Sequence, residues 1–197
     1  MKKISIFVLA LVASATLFAQ GPKYGIKAGL NLSRLTGPVD TDWRPGFHAG
    51  FLSHIHVTPA FSLQPEVVYS SQGAKYPYNE NQDLKRKLDY INIPVLLQYN
   101  FDNGFRLQGG PQIGFLVSAK DKVGDVTLNS STDPYKTIDF SIPLGISYLS
   151  YSGLGVDARY NLGITNVIDG SPANVRNSVI QLGVFYLFDH HHKAKSR

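Results

Sequence analysis

The sequence predicts an all-β protein, one eight-stranded antiparallel up-and-down transmembrane β-barrel. Three observations predict it. Eight segments alternate apolar and polar residues with a period of two, the period of a strand. Their connections alternate as well: long ones of roughly ten to eighteen residues take turns with short ones of about four. The polar flank of the segments also holds the glycines and the charges. A soluble domain has no physical reason to sort its loops by parity. A barrel crossing an outer membrane does, because its long loops lie on one side and its short turns on the other.

The chain opens with Met1-Lys2-Lys3, an apolar run over 4–13, then Ser14-Ala15-Thr16-Leu17-Phe18-Ala19. A basic start, a short apolar stretch and small residues before a cut site describe a secretory signal peptide, so residues 1–19 are expected to be removed on export. The run is too short to cross a bilayer as a helix, and no later stretch reaches the roughly 18 apolar residues that would. One barrel domain is expected over 20–188, followed by a basic, histidine-containing tail over 189–197. There is no Cys, which excludes disulfides and thiolate metal sites. Lys plus Arg number 19 against 14 for Asp plus Glu; without Lys2 and Lys3 the balance is 17 against 14. That mild excess carries no basic stripe, and nucleic acid is not an expected partner. The densest basic stretch, Lys85-Arg86-Lys87, reads as the rim of a loop.

The strands are expected near 24–34, 45–57, 61–71, 88–100, 105–118, 137–148, 154–165 and 175–188. The first sets Tyr24, Ile26, Ala28, Leu30 and Leu32 against Gly25, Lys27, Gly29, Asn31 and Ser33. The sixth sets Ile138, Phe140, Ile142, Leu144, Ile146 and Tyr148 against Asp139, Ser141, Pro143, Gly145 and Ser147. The seventh is the cleanest, with Leu154, Val156, Ala158, Tyr160, Leu162 and Ile164 on one flank and Gly155, Asp157, Arg159, Asn161, Gly163 and Thr165 on the other. Each segment has the roughly 9–11 residues a tilted spanning strand needs. Closure is required, since an open sheet edge in lipid would leave backbone groups without partners.

Which flank faces out decides between a soluble and a membrane barrel. Gly25, Gly29, Gly50, Gly110, Gly114, Gly145, Gly155, Gly163 and Gly183 share the polar flank. Small residues suit the crowded inside of eight strands and would only weaken a solvated outer face. The apolar flank is therefore expected on outer-membrane lipid. Inside, Lys27, Glu66, Arg106, Asp139, Asp157 and Arg159 form a candidate charge network, its two signs pairing as buried charges must. Aromatics stand where interface girdles belong: Tyr24, Phe61, Phe101, Phe105, Tyr148 and Phe188 at periplasmic ends, Phe47, Tyr69 and Phe115 nearer the outer ends. Asp102-Asn103-Gly104, Ser152-Gly153 and Thr58-Pro59 mark the short turns. Long polar loops are expected at 36–44, 73–87, 119–136 and 166–174. In them Trp43, Tyr76, Tyr78 and Tyr135 are candidate contacts for a partner or glycan.

Four segments carry a family resemblance: Tyr24-Gly25-Ile26-Lys27-Ala28-Gly29-Leu30-Asn31, Leu88-Asp89-Tyr90-Ile91-Asn92-Ile93-Pro94, Ala158-Arg159-Tyr160-Asn161-Leu162-Gly163-Ile164-Thr165 and the terminal Gln181-Leu182-Gly183-Val184-Phe185-Tyr186-Leu187-Phe188. In this order they resemble the PorT-like outer-membrane β-barrel proteins of Gram-negative bacteria. The resemblance implies an outer-membrane barrel with both termini periplasmic and an accessory role in protein secretion, with secretion or envelope proteins as partners.

Catalytic and metal chemistry find little support in the residues. His48, His54 and His56 share a parity and could hold a metal, but they read as interior polar residues and a turn-flanking histidine. A lipid-modifying enzyme would need a Ser and His reaching lipid or the outer rim. His48, near Ser33 and Ser70 in height, points inward by parity, and no G-x-S-x-G elbow appears. No catalytic residue, cofactor or metal site is assigned. The function expected is non-enzymatic: a barrel presenting loops for binding, adhesion or envelope assembly. Secretion accessory and lipid-modifying enzyme are the alternatives.

Overall fold

A computed structural model describes residues 21–38, 41–79, 82–124, 126–133, 135–170 and 173–188, the side chains at 78, 79 and 82 excepted. The expected signal peptide and the C-terminal tail lie outside the described residues. Ten strands run in order: β1 (Lys23–Thr36), β2 (Arg44–His56), β3 (Phe61–Asn79), β4 (Gln82–Asn100), β5 (Phe105–Gly109), β6 (Gln112–Val123), β7 (Val126–Asn129), β8 (Ile138–Leu149), β9 (Leu154–Gly163) and β10 (Arg176–Leu187). Every pairing is antiparallel, and β1 pairs with β10 from Gly25↔Leu187 to Thr36↔Arg176 to close the ring.

Eight wall strands result because β5 and β6 are two halves of one. Each half pairs with β4 on one side and β8 on the other. The break falls at Gly110-Pro111, where proline has no N–H to give the ladder. The ladder still continues through carbonyls, Val95 N–H donating to Pro111 O at 3.0 Å and Gly110 N–H to Pro143 O at 3.2 Å. Two of the three short turns end in a glycine with positive φ, Gly104 at 87° and Gly153 at 86°, which only glycine adopts freely.

The apolar flank is bare. Leu30 is 68% exposed, Phe51 70% and Leu182 54%, while Lys27 and Glu66 across the same wall are 4% and 2% exposed. Polar inside and apolar outside is the reverse of a soluble barrel and is what hydrocarbon requires. Aromatic pairs ring the short-turn end: Phe61–Tyr99 at 5.3 Å, Tyr99–Phe101 at 4.9 Å, Phe105–Tyr148 at 5.2 Å and Tyr186–Phe188 at 5.7 Å. Phe47–Tyr69, 5.6 Å apart, lies toward the other end.

Two expected loops fold differently. The segment 73–87 is almost wholly strand, because β3 continues to Asn79 and β4 starts at Gln82. The segment 119–136 holds the end of β6 and all of β7. The extension is stabilised by burial. Ala74 and Leu88 turn inward and join Leu35, Tyr90, Leu116, Ala119, Tyr135 and Val167 in an apolar cluster capping the long-loop end. Leu52, Leu149, Phe185 and Leu187 form a smaller cluster at the short-turn end. The polar lumen runs from the apolar cap to the short-turn end, where the smaller cluster sits beside buried Arg106 and His54.

Candidate functional site: the lumen cluster and the rim

Four of the six charges expected inside meet at mid-barrel. Lys27 comes from β1, Glu66 from β3, and Asp157 and Arg159 from β9. Lys27 Nζ donates to Asp157 Oδ2 at 2.8 Å and to Glu66 Oε2 at 3.4 Å. Arg159 grips Glu66 with two parallel bonds, Nη1 to Oε2 at 2.8 Å and Nη2 to Oε1 at 2.7 Å, and Nη2 also lies 2.8 Å from Asp157 Oδ2. Gln64 Nε2 adds a bond to Glu66 Oε1 at 2.7 Å. Two cations and two carboxylates cancel. Their side chains are between 0% and 3% accessible. Each charge meets an opposite one, which is what sustains such burial, although Asp157 Oδ1 and Arg159 Nε find no hydrogen-bond partner among the described residues.

Glycines make room for the cluster. A Cβ on Gly183 would stand 2.5 Å from Asp157 Oδ1 and 3.0 Å from His48 Nε2, and one on Gly145 would stand 2.8 Å from Arg159 Cγ. The Asp157 carboxylate thus accounts for Gly183, while at Gly145 the Ala158 carbonyl crowds such a Cβ more closely than Arg159 does.

A neutral layer sits beside the cluster. Asn31 Nδ2 donates to Phe47 O, Ser70 Oγ and Ser71 O at 3.0, 3.0 and 3.1 Å. Its Oδ1 is left to accept from Gln181 Nε2 at 3.1 Å and from His48 Nδ1 at 2.8 Å. The proton of His48 therefore sits on Nδ1. The polar parity of Asn31 and Gln181 marks the face they share but not the height at which they meet.

The other two charges stand apart. Asp139 accepts from Thr165 Oγ1, and from Asn177 Nδ2 at 3.3 Å, toward the long-loop end. Arg106 is buried toward the short-turn end and forms no ion pair among the described residues. His54 is also buried there, its ring edge-on to His56 at 4.6 Å. No group of three or more metal-ligating side chains occurs among the described residues.

At the rim the expected contact rings fold back onto the protein. Tyr135 is buried in the apolar cap, and Tyr76 is packed against it. Between them lies Arg86, its guanidinium 5.1 Å from the Tyr76 ring and 5.4 Å from the Tyr135 ring. Arg86 holds Asp121 through Nε at 3.0 Å and Nη2 at 2.9 Å. This group stands beyond the Tyr69, Ile91 and Phe115 row, outside the spanning segments. Burial pushes the Tyr135 phenol up to about 12, against the opposing pull of Arg86. Burial works against the Arg86 charge, but Asp121 and the two phenols outweigh it and raise its pKa. Trp43 is half-buried under the Arg34 guanidinium at 4.8 Å. Tyr78 has its side chain outside the described set.

A closed antiparallel ring with an apolar exterior and a paired-charge interior defines an integral outer-membrane barrel. The chain belongs to the outer membrane protein beta-barrel domain family, whose signature matches residues 18–169. No curated protein matches the sequence. Among solved structures, Neisserial surface protein A is similar in fold at 16% identity and a TM-score of 0.59, covering 86% of this chain and 100% of that one. Ail, the attachment invasion locus protein of Yersinia pestis, is similar at 15% identity and a TM-score of 0.52, with the same coverage. Both likenesses concern the fold.

Proposed function

We propose that this is a non-catalytic outer-membrane scaffold with a closed lumen, whose long-loop end faces out of the cell as a surface for binding, adhesion or envelope assembly. The observation that carries this reading is the neutral four-residue cluster at mid-barrel, inaccessible to solvent and capped by an apolar cluster at the long-loop end. A lumen sealed in that way favours neither diffusion nor turnover inside the barrel, which leaves the rim to meet other molecules. On this reading both termini lie in the periplasm, since short turns are the periplasmic ones in barrels of this kind. The test is reconstitution in planar bilayers, where no conductance steps are expected, joined to protease shaving of intact cells, where cleavage is expected within 124–137. Steady ion steps, or lipid turnover lost in His48→Ala, would contradict the reading.

A secretion accessory role rests on the four PorT-like segments, with secretion or envelope proteins as partners. Deleting the gene tests it: a changed secreted proteome supports the role, and an unchanged one removes it.

A further inference from the structure

The basic stretch at 85–87 acquires a partner in the folded chain. Lys85-Arg86-Lys87 on β4 lies in register with Lys120-Asp121-Lys122 on β6, pairing Lys85 with Lys122, Arg86 with Asp121 and Lys87 with Lys120. Strand alternation splits the six residues between two faces. Arg86 and Asp121 turn inward and neutralise each other. All four lysines turn outward. On the other side of β4, β3 places Lys75 opposite Lys85 and Gly73 opposite Lys87. One rung therefore reads Lys75–Lys85–Lys122 and the next Gly73–Lys87–Lys120.

Like charges directly opposite on neighbouring strands destabilise a sheet. Here two such lysine pairs stack, with a fifth lysine alongside. Among the described residues, the carboxylates near this face are few. Asp89, one rung toward the barrel, takes Lys87 Nζ at 3.0 Å. Asp42 bridges opposite Lys75, and Asp83 lies one rung beyond Lys85. Neither forms an ion pair with Lys75, Lys85, Lys120 or Lys122 among the described residues. Lys85, Lys120 and Lys122 are exposed.

The direction of the face identifies what it meets. Followed down the same strands, it becomes the row Tyr69–Ile91–Phe115 on the lipid-facing wall. Four residues separate Ile91 from Lys87. At about 3.3 Å per residue and a tilt of about 45°, that rise is about 10 Å along the membrane normal. The lysines thus look sideways over the leaflet at headgroup depth, and their stems can reach down further.

We propose that this lysine face binds the phosphates of anionic lipid headgroups in the leaflet around the long-loop end. It deepens the outward-facing reading above, which supplies only the identity of the leaflet. The attraction is electrostatic, close-range and weakened by salt.

The test uses full-length protein in phosphatidylcholine vesicles doped with spin-labelled phosphatidic acid or spin-labelled phosphatidylcholine, reading the fraction of each label immobilised at the protein. Wild type is expected to prefer phosphatidic acid several-fold at low salt, and the preference should shrink as salt rises. The combined variant Lys75→Gln, Lys85→Gln, Lys120→Gln, Lys122→Gln should lose it, while Lys136→Gln with Arg176→Gln should keep it. Heat-modifiable migration establishes that each variant is folded. Equal selectivity in wild type and the fourfold variant overturns the proposal. So does lysine-dependent binding of a soluble polyanion such as heparin with no lipid preference. Vesicle selectivity does not depend on orientation in the cell, so protease shaving separately decides whether the leaflet is the outer one.

Discussion

The barrel handles charge in two opposite ways. At mid-lumen, Lys27, Glu66, Asp157 and Arg159 are brought together from three strands and each meets an opposite charge out of reach of water. On the outward face of β3, β4 and β6, lysines of one sign stand opposite each other where carboxylates would have relieved them. Between the two, Arg86 and Asp121 show that the same strands can pair charges when they turn inward. Where charges meet at mid-lumen they cancel locally, while Arg106 and Asp139, buried toward the two ends, stand without an ion pair among the described residues; charge at a headgroup layer can be answered by ions that the chain does not carry.

The largest effect should come from breaking the lumen cluster on one side. Glu66→Gln leaves Lys27 and Arg159 short of a buried counter-charge, and should lower stability by about 3–5 kcal/mol, measured by urea unfolding in lipid vesicles. Replacing all four members with apolar residues of similar size should cost much less, since no orphan charge is left. If the single and the fourfold change cost the same, pairing is not what holds the cluster. Gly183→Ala comes next: its methyl would press on the Asp157 carboxylate, for an expected loss of about 1–3 kcal/mol in the same assay.

At the rim, Arg86→Gln removes two charge-assisted bonds to Asp121 and should loosen the cap by about 1–2 kcal/mol, seen as faster proteolysis within 124–137 without loss of barrel migration. The Tyr135 phenol offers a pH test of the same packing. Its folded pKa lies above its unfolded one, so the neutral ring contributes fully below the unfolded value near 10. That contribution fades as pH rises through about 12. The absorbance difference at tyrosinate wavelengths between wild type and Tyr135→Phe should therefore titrate near 12, and a midpoint near 10 would show the ring to be solvated. The smallest effect belongs to the lysine face. In uncharged lipid, Lys85→Gln should change stability by no more than about 0.5 kcal/mol, with a slight gain from relieved repulsion.

Strand alternation made the wall legible from the sequence, including which flank meets lipid, because a one-residue error would have turned every glycine and charge outward. Height within the lumen was not legible. Arg106 and Asp139 share the inward parity of the cluster but lie toward opposite ends, a matter of barrel stagger that parity does not encode. The extension of β3 and β4 was hidden by Gly73, Pro77 and the run of lysines, all of which read as loop. The inward series Leu84, Arg86 and Leu88 was the signal that strand continued. That Tyr76 and Tyr135 clasp Arg86 depends on the segment after β7 folding back over the rim, which no local pattern announces.

The membrane orientation of the barrel rests on which flank of the wall touches hydrocarbon. The chain has no Cys, so Val156→Cys and Ser147→Cys can each carry one spin label in reconstituted vesicles. Collision with oxygen dissolved in the acyl chains should be frequent at Val156, on the apolar flank, and rare at Ser147, in the lumen. The reverse order would contradict the membrane orientation of the barrel and everything derived from it.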